Sequence, residues 1–217
     1  MRIATLVASV VSTVGLFAST TALAAPGRPA LDLGVGFGGV TLENSVPEIE
    51  NSVGGNFHLN YSFAPFRDVE QLRFGVGFMI EGASEQGPRT QSTFDPRVRE
   101  RPYSRVSSFT PEFKVAWSQP LGERWFIEPS VALAVPIAHY EVGELESYRD
   151  YYGYYDVDDS ETRIGIGVRP GLQVGYWLAE RHAIGLELNY LFATIDFRNV
   201  GPSFEAYSIG FFYRLAF

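Results

Sequence analysis

Bulky apolar residues occupy every second position over much of the chain. Eight segments carry this pattern: LDLGVGF (31–37), FHLNYSF (57–63), LRFGVGFMI (72–80), FTPEFKVAW (109–117), WFIEPSVALAVPI (125–137), RIGIGVRPGLQVGY (163–176), AIGLELNYLFAT (183–194) and AYSIGFFYRLAF (206–217). Period-two alternation is typical of strands with one apolar face, and no convincing helical periodicity accompanies it. The pattern predicts an all-β chain of eight strands.

The connections between these segments alternate in length. Short connections lie at 64–71, 118–124 and 177–182, and longer ones cover roughly 38–56, 81–108, 138–162 and 195–205. An up-and-down meander whose two ends face different compartments produces this alternation.

The two faces of the segments differ in composition. One face is bulky and carries no Asp, Glu, Lys or Arg in any segment, whereas the other combines charged residues with many Gly and Ala. Glycine weakens an exposed strand and serves where space is tight, so we expect the polar face to line a crowded interior. A soluble lipocalin-like barrel would show the same period with the apolar face inward.

An outward apolar face is stable only against lipid, where every backbone polar group must pair and strands must close into a barrel. A charge on that face would cost about 2 to 4 kcal/mol near the bilayer midplane, so the lack of charge supports this orientation. The sequence therefore predicts a closed antiparallel eight-stranded up-and-down transmembrane β-barrel.

Composition narrows the class of protein further. The chain has 217 residues, and its 17 basic and 25 acidic residues give a net charge of -8, which argues against a nucleic-acid partner. It contains no Cys, so disulfides cannot supply its stability. The length suits one or at most two folded domains.

The first residues have the composition of an export signal. Arg2 precedes an apolar run from Ile3 to Phe17, and small residues end at Ala24. We predict a signal peptide over 1–24, with cleavage after Ala24, and one barrel domain over 25–217 that reaches its membrane through the periplasm.

The final segment carries a recognisable motif. Its alternate bulky residues end on an aromatic ring and resemble the C-terminal strand by which the barrel-assembly machinery recognises bacterial outer-membrane proteins. The candidate assembly signal consists of Tyr207, Ile209, Phe211, Tyr213, Leu215 and Phe217. Leu215 departs from the motif, where an aromatic residue is commoner.

The chain as a whole is similar to the small eight-stranded outer-membrane β-barrel proteins, such as the OmpA transmembrane domain, OmpX and OmpW. The resemblance covers the architecture over the full length, but only the last strand carries a motif. It implies an integral protein of a Gram-negative outer membrane, in contact with outer-membrane lipid and lipopolysaccharide.

The charged residues of the polar face form the first candidate site. Eight strands enclose a space that side chains can fill, so we expect an ion-pair network that closes the interior. A narrow OmpW-like channel for small solutes is the alternative, and the Gly- and Ala-rich outer half could leave a dead-end cavity. The predicted network consists of Asp32, Arg73, Glu112, Lys114, Glu128, Arg169, Glu187 and Arg214.

The third long connection is acidic and rich in tyrosine. Tyrosine gives a large contact area at low entropic cost, so these side chains could form an adhesive or carbohydrate-binding surface. The candidates are Tyr148, Tyr151, Tyr152, Tyr154 and Tyr155.

The second long connection is basic instead. We expect it to pack against the acidic connection or to bind anionic lipopolysaccharide. Its arginines are Arg89, Arg97, Arg99, Arg101 and Arg105.

An enzyme that modifies lipid A is a further alternative. His139 has Tyr140 and Glu141 beside it, and a histidine near a hydroxyl and a carboxylate can support acyl chemistry. The lipid A deacylase barrels, however, have a serine two residues beyond their histidine, where this chain has Glu141. We therefore predict a non-enzymatic monomer with a structural or surface-interaction role, without cofactor or metal.

Overall fold

The computed structural model describes residues 28–42, 49–66, 68–88, 90–91, 98–148, 154–198 and 202–217. The predicted signal peptide lies outside this part of the chain. None of these described residues forms a helix that could span a membrane.

The described residues form twelve strands. Their bounds are β1 (Ala30–Leu42), β2 (Ile49–Phe63), β3 (Leu72–Gln86), β4 (Thr90–Gln91), β5 (Val98–Trp117), β6 (Gln119–Leu121), β7 (Trp125–Ala134), β8 (Ile137–Tyr148), β9 (Tyr154–Ile164), β10 (Ile166–Ala179), β11 (His182–Thr194) and β12 (Ser203–Ala216).

Eight of these strands form a ring. The pairing runs β5, β7, β10, β11, β12, β1, β2, β3 and back to β5, and every neighbouring pair is antiparallel. The first and last strands pair from Ala30 with Ala216 to Leu42 with Phe204. The predicted all-β, antiparallel, up-and-down arrangement is confirmed.

Two of the predicted strands are interrupted once. β7 continues as β8 past Pro136, and β9 continues as β10 past Gly165. Proline has no N–H to give to a ladder, so regular pairing stops there. The Gly165 N–H still donates to the Pro136 carbonyl at 2.8 Å, which keeps the two strands adjacent across the break.

The long connections at 81–108 and 138–162 were wrongly predicted as loops over much of their length. Strands β3 and β5 continue beyond the ring as a pair, and β8 and β9 pair in turn beside β5. These paired segments are called the extension, and the end of the molecule that carries them is called the extension end. Described outward positions there, such as Ser84, Arg105 and Ser107, are polar, and this weakened the alternation by which the strands were recognised. The opposite, short-turn end carries the connections near 64–71, 118–124 and 177–182, as predicted.

Candidate functional site

Arg214 of β12 occupies the centre of the interior near the short-turn end. Its guanidinium donates to both carboxylate oxygens of Asp32 at 2.7 Å and to both oxygens of Glu128 at 2.9 Å. Gln173 Oε1 accepts a further bond at 2.9 Å. One buried cation is therefore shared by two carboxylates and an amide, a geometry that can offset the cost of burying charge.

Two aromatic rings lie against this guanidinium. The Arg214 Cζ atom is 4.9 Å from the ring centroid of Phe126 and 5.7 Å from that of Phe212. Both rings are buried, and they pack with Ala183 and Trp177. The interior at the short-turn end thus carries an apolar layer in contact with the cation.

The remaining predicted charges near this end surround the same carboxylates. Lys114 Nζ and Arg73 Nε each lie 3.9 Å from an oxygen of Glu128, and Arg73 Nη2 donates to Ser62 Oγ at 2.8 Å. The Arg214 cluster consists of Arg214, Asp32, Glu128, Gln173, Lys114, Arg73, Glu187 and His58.

A chain of polar contacts extends the cluster across the interior. Gln173 Nε2 lies 3.3 Å from Glu187 Oε2, and His58 Nδ1 lies 2.8 Å from Glu187 Oε1. His58 and Gln173 were not among the predicted residues. Their positions on the inward face of the alternating segments FHLNYSF and RIGIGVRPGLQVGY could have indicated them.

A second group of charges, the Arg169 cluster, lies nearer the extension end. Arg169 donates to both oxygens of Glu81, at 2.8 and 3.2 Å, and contacts Glu112. Ser108 Oγ donates to Glu81 Oε1 at 3.2 Å. The sequence placed Glu81 in a loop, so Glu81 was not predicted as part of the site. The eight predicted residues divide between the Arg214 cluster and the Arg169 cluster and do not form a single network.

A small cavity of about 30 Å³ separates the two clusters. It borders Lys114, Glu112, Glu187 and Asn60 among others. Asn60 Nδ2 is buried without a hydrogen-bond partner among the described residues. A polar cavity of this size has room for about two water molecules.

Beyond the Arg169 cluster the interior becomes apolar. Phe197 and Ile195, from the connection after β11, fold inward and are 2% and 1% exposed. The sequence left open a dead-end cavity in the Gly- and Ala-rich outer half, and among the described residues buried apolar side chains occupy this part of the interior. The apolar cluster consists of Val40, Leu42, Ala83, Val106, Ala134, Ala138, Tyr140, Leu191, Ala193, Ile195, Phe197, Phe204 and Ala206.

The polarity of the strands therefore inverts along their length. In the ring, outward residues are large and apolar, as with Phe109 and Val131, while inward residues such as Glu128 are charged and buried. In the extension, inward Val106 is buried and outward Arg105 is exposed. The outward face thus changes from apolar to polar along a line just beyond Phe109, Ile137 and Ile164.

A hydrogen-bonded trio lies immediately past this line. His139 Nδ1 is 2.9 Å from Thr162 Oγ1, and His139 Nε2 is 3.0 Å from Glu141 Oε1. The sequence placed Tyr140 and Glu141 beside His139, but Tyr140 points inward and packs against Phe197. The hydroxyl next to His139 belongs instead to Thr162 on β9. This proximity depends on how β8 and β9 pair, which the spacing of residues in the sequence does not reveal.

The candidate assembly signal lies on the outward face of β12. Tyr207, Ile209, Phe211 and Phe217 are exposed, and Leu215 is half-buried. Tyr213 is also half-buried, and its hydroxyl is 2.5 Å from His182 Nδ1.

The candidate tyrosine surface lies largely beyond what the structure describes. Tyr151 and Tyr152 are outside the described residues. Tyr148, Tyr154 and Tyr155 lie on β8 and β9, where only the backbone is described.

The basic and acidic connections meet through one strand pair. β5, from the basic connection, pairs with β8, and in this register Arg105 lies opposite Glu141. The acidic strand β9 pairs with β8, and among the described residues it does not pair with β5. Arg101 donates to the Gly87 carbonyl at 2.8 Å and to Gln86 Oε1 at 2.5 Å, within its own hairpin. Arg89 and Arg97 are outside the described residues.

No protein-family model matches the chain, and no curated protein matches it in sequence. Small outer-membrane β-barrel proteins are among the solved structures that it resembles. A major outer membrane protein of Thermus thermophilus is 12% identical, covering 86% of this chain and 99% of that one, with a TM-score of 0.48. Ail, the attachment invasion locus protein of Yersinia pestis, is 13% identical, covering 87% and 99%, with a TM-score of 0.43. Neisserial surface protein A is 16% identical, covering 88% and 97%, with a TM-score of 0.43. At these identities the likeness is one of fold alone, so function must be inferred from this chain's own side chains.

Proposed function

We propose that this chain is an integral outer-membrane β-barrel protein, a monomer whose eight ring strands each cross the bilayer once. The observation that carries the proposal is the reversed polarity of the ring. Arg214, Glu128 and Asp32 are buried inside it, while Phe211, Val131 and Leu133 are more than half exposed outside it.

Water would not favour this distribution, because the outward face presents a continuous belt of large apolar side chains. Lipid favours it, since the bulky, outward face of the eight alternating segments holds no Asp, Glu, Lys or Arg. On β12 the belt runs from Tyr207 to Phe217, and a tilted strand needs about 9 to 11 residues to cross the hydrocarbon core.

The packing of the interior supports a closed lumen and a structural or surface-interaction role. Four groups of side chains follow one another along the ring axis: the layer that contains Phe126 and Phe212, the Arg214 cluster, the Arg169 cluster and the apolar cluster. A water-filled path through all four layers would require charged and apolar side chains to separate together, at a large cost. The extension then places polar strand surface outside the membrane, where it can contact lipopolysaccharide or other partners.

Export and insertion complete the proposal. Residues 1–24 would direct the chain to the periplasm, and the alternate residues from Tyr207 to Phe217 would present the signal to the barrel-assembly machinery. The outward orientation of most of these side chains suits recognition before the strand is covered by lipid.

Tryptophan fluorescence in vesicles made with brominated lipids tests the membrane location. Trp117 and Trp125 are 45% and 52% exposed on the outward face, so bromine on the acyl chains should quench their emission. Trp177 packs with Phe126 inside the ring and provides the matched control. A variant with Trp117→Phe and Trp125→Phe should lose most of the quenching. Equal quenching in both proteins, or none in either, would contradict the proposed orientation.

Planar-bilayer recording tests the closed lumen separately. The reconstituted protein should give no reproducible conductance steps, because side chains fill the interior. Regular steps would favour the alternative of a narrow channel for small solutes, without affecting the membrane location.

A further inference from the structure

A hydroxyl, an imidazole and a carboxylate form one hydrogen-bonded chain on the outward face of β8 and β9. Thr162 and His139 are register partners, and their Oγ1 and Nδ1 atoms are 2.9 Å apart. Glu141 Oε1 lies 3.0 Å from His139 Nε2. The side chain of His139 is 40% exposed, so the trio is open to an approaching molecule.

The carboxylate determines how the protons are arranged. A carboxylate can only accept, so in the tautomer that satisfies both contacts His139 Nε2 donates to Glu141 and Nδ1 accepts the hydroxyl hydrogen of Thr162. A hydroxyl that donates to an imidazole held by a carboxylate is the arrangement of an activated nucleophile. The three side chains therefore have the order nucleophile, general base and orienting carboxylate.

The position of the trio indicates the class of substrate. Ile137 and Ile164, two residues nearer the short-turn end on the same strands, are 36% and 68% exposed at the edge of the apolar belt. A lipid whose acyl chains lie against this belt holds its ester linkages at the level of the trio. Arg105, the exposed register partner of Glu141 on β5, offers a cation to an anionic headgroup.

We propose that Thr162, His139 and Glu141 hydrolyse ester-linked acyl chains of anionic membrane lipids. This inference rests on the proposed membrane location, because lipid must reach the outward face of β8 and β9. It extends the protein's role from a structural barrel to chemistry on the lipid that surrounds it.

The reaction has two balanced steps. Thr162 Oγ1 attacks the ester carbonyl carbon while its proton passes to His139 Nδ1, and a tetrahedral intermediate forms. The carbon–oxygen bond to the lipid alcohol breaks, and that oxygen takes the proton from His139, which leaves an acyl ester on Thr162. Water then attacks this ester through the same base, releases the fatty acid and restores the Thr162 hydroxyl. Glu141 holds the ring throughout and stabilises the imidazolium that forms in each step.

Fatty-acid release from vesicles tests the proposal. The purified protein is reconstituted in vesicles of phosphatidylglycerol and lipopolysaccharide, and free fatty acids are quantified by mass spectrometry. Release should fall by about 10²-fold or more in Thr162→Ala and in His139→Ala. Thr162→Ser should retain activity because it keeps the hydroxyl. Glu141→Gln should lower kcat with KM unchanged, as expected of a positioning residue.

Thr194 gives a matched control. It is an exposed threonine on β11, a strand that pairs with β10 and β12 and not with β8 or β9 among the described residues, so Thr194→Ala should leave release unchanged. Equal release by the protein and by Thr162→Ala, including no release by either, would overturn the assignment. Bromine quenching of the tryptophans, measured on the same vesicles, separates a protein that inserts without hydrolysing lipid from one that does not insert.

Discussion

Arg214 and Asp32 join the last strand of the chain to the first. They are register partners on β12 and β1, 182 positions apart in sequence, and two hydrogen bonds of 2.7 Å connect their side chains. Both residues are almost inaccessible to solvent, at 1% and 0% exposed. An ion pair at this seam favours the register in which the ring closes, since a slip by one residue would turn one charge toward the apolar belt.

Asp32→Asn is expected to lower the free energy of unfolding by about 3 kcal/mol or more, because it removes one carboxylate from a buried guanidinium. Urea unfolding of the protein in lipid vesicles measures this change. Asp68→Asn, in an exposed turn, provides the control and should change stability by less than about 0.5 kcal/mol. A loss below about 1 kcal/mol at Asp32 would mean that Glu128 and Gln173 alone can satisfy Arg214.

A double-mutant cycle separates the pair from its surroundings. Asp32→Asn and Arg214→Gln are measured singly and together, and contact between the residues should give a coupling energy of about 0.5 to 3 kcal/mol. Additive effects would indicate that the two residues act independently.

The apolar cluster of the extension end is also expected to stabilise the fold. Phe197 is 2% exposed and packs against Tyr140, with ring centroids 5.8 Å apart. Phe197→Ala should lower the free energy of unfolding by about 3 kcal/mol through lost burial and a new cavity. Phe192→Ala, on the outward face of the preceding strand, should cost less because that ring is 48% exposed. Equal losses would contradict the inward packing of the connection.

The sequence predicted the ring because alternation and composition agree there. Outward Leu, Val, Ile and Phe alternate with inward Gly and charged residues, and a one-residue change of register would reverse the faces. The orientation followed from the crowded glycines of the polar face. Gly34, for example, lies against the ring of His58, where a Cβ atom would clash.

The extension and the trio could not be predicted in the same way. Beyond Ile80 and Phe109 the outward positions become polar, so neither face gives a strong alternating signal. Glu81 was missed for that reason. Thr162 was missed because its proximity to His139 depends on the register between β8 and β9, which is set by pairing on both sides of Pro136 and Gly165.

The position of the bilayer boundary can be tested by moving one charge along the outward face. Leu133→Arg, in the middle of the belt, should destabilise the protein in vesicles by about 2 to 4 kcal/mol. Ser107→Arg, one outward position beyond Phe109, should cost no more than about 1 kcal/mol because its side chain reaches the interface. Urea unfolding in the same vesicles compares the two variants. Equal costs would place both positions in the same environment and contradict the proposed boundary.

Glu161, in the extension, should make that end of the molecule sensitive to acid. The backbone N–H of Arg198 donates to Glu161 Oε2 at 2.9 Å, and this bond, with the Arg163 side chain, lowers the pKa of the carboxyl from its ordinary value of 4.5. A lowered folded-state pKa gives stability that is present above the unfolded value and is lost as the pH falls through the folded value. Hydrogen exchange of the Arg198 amide, corrected for its intrinsic rate, should therefore show less protection at about pH 3 than at about pH 6. In Glu161→Gln the amide oxygen still accepts the bond but cannot titrate, so protection should not change with pH. A similar acid-induced loss in that variant would mean that another group controls the contact.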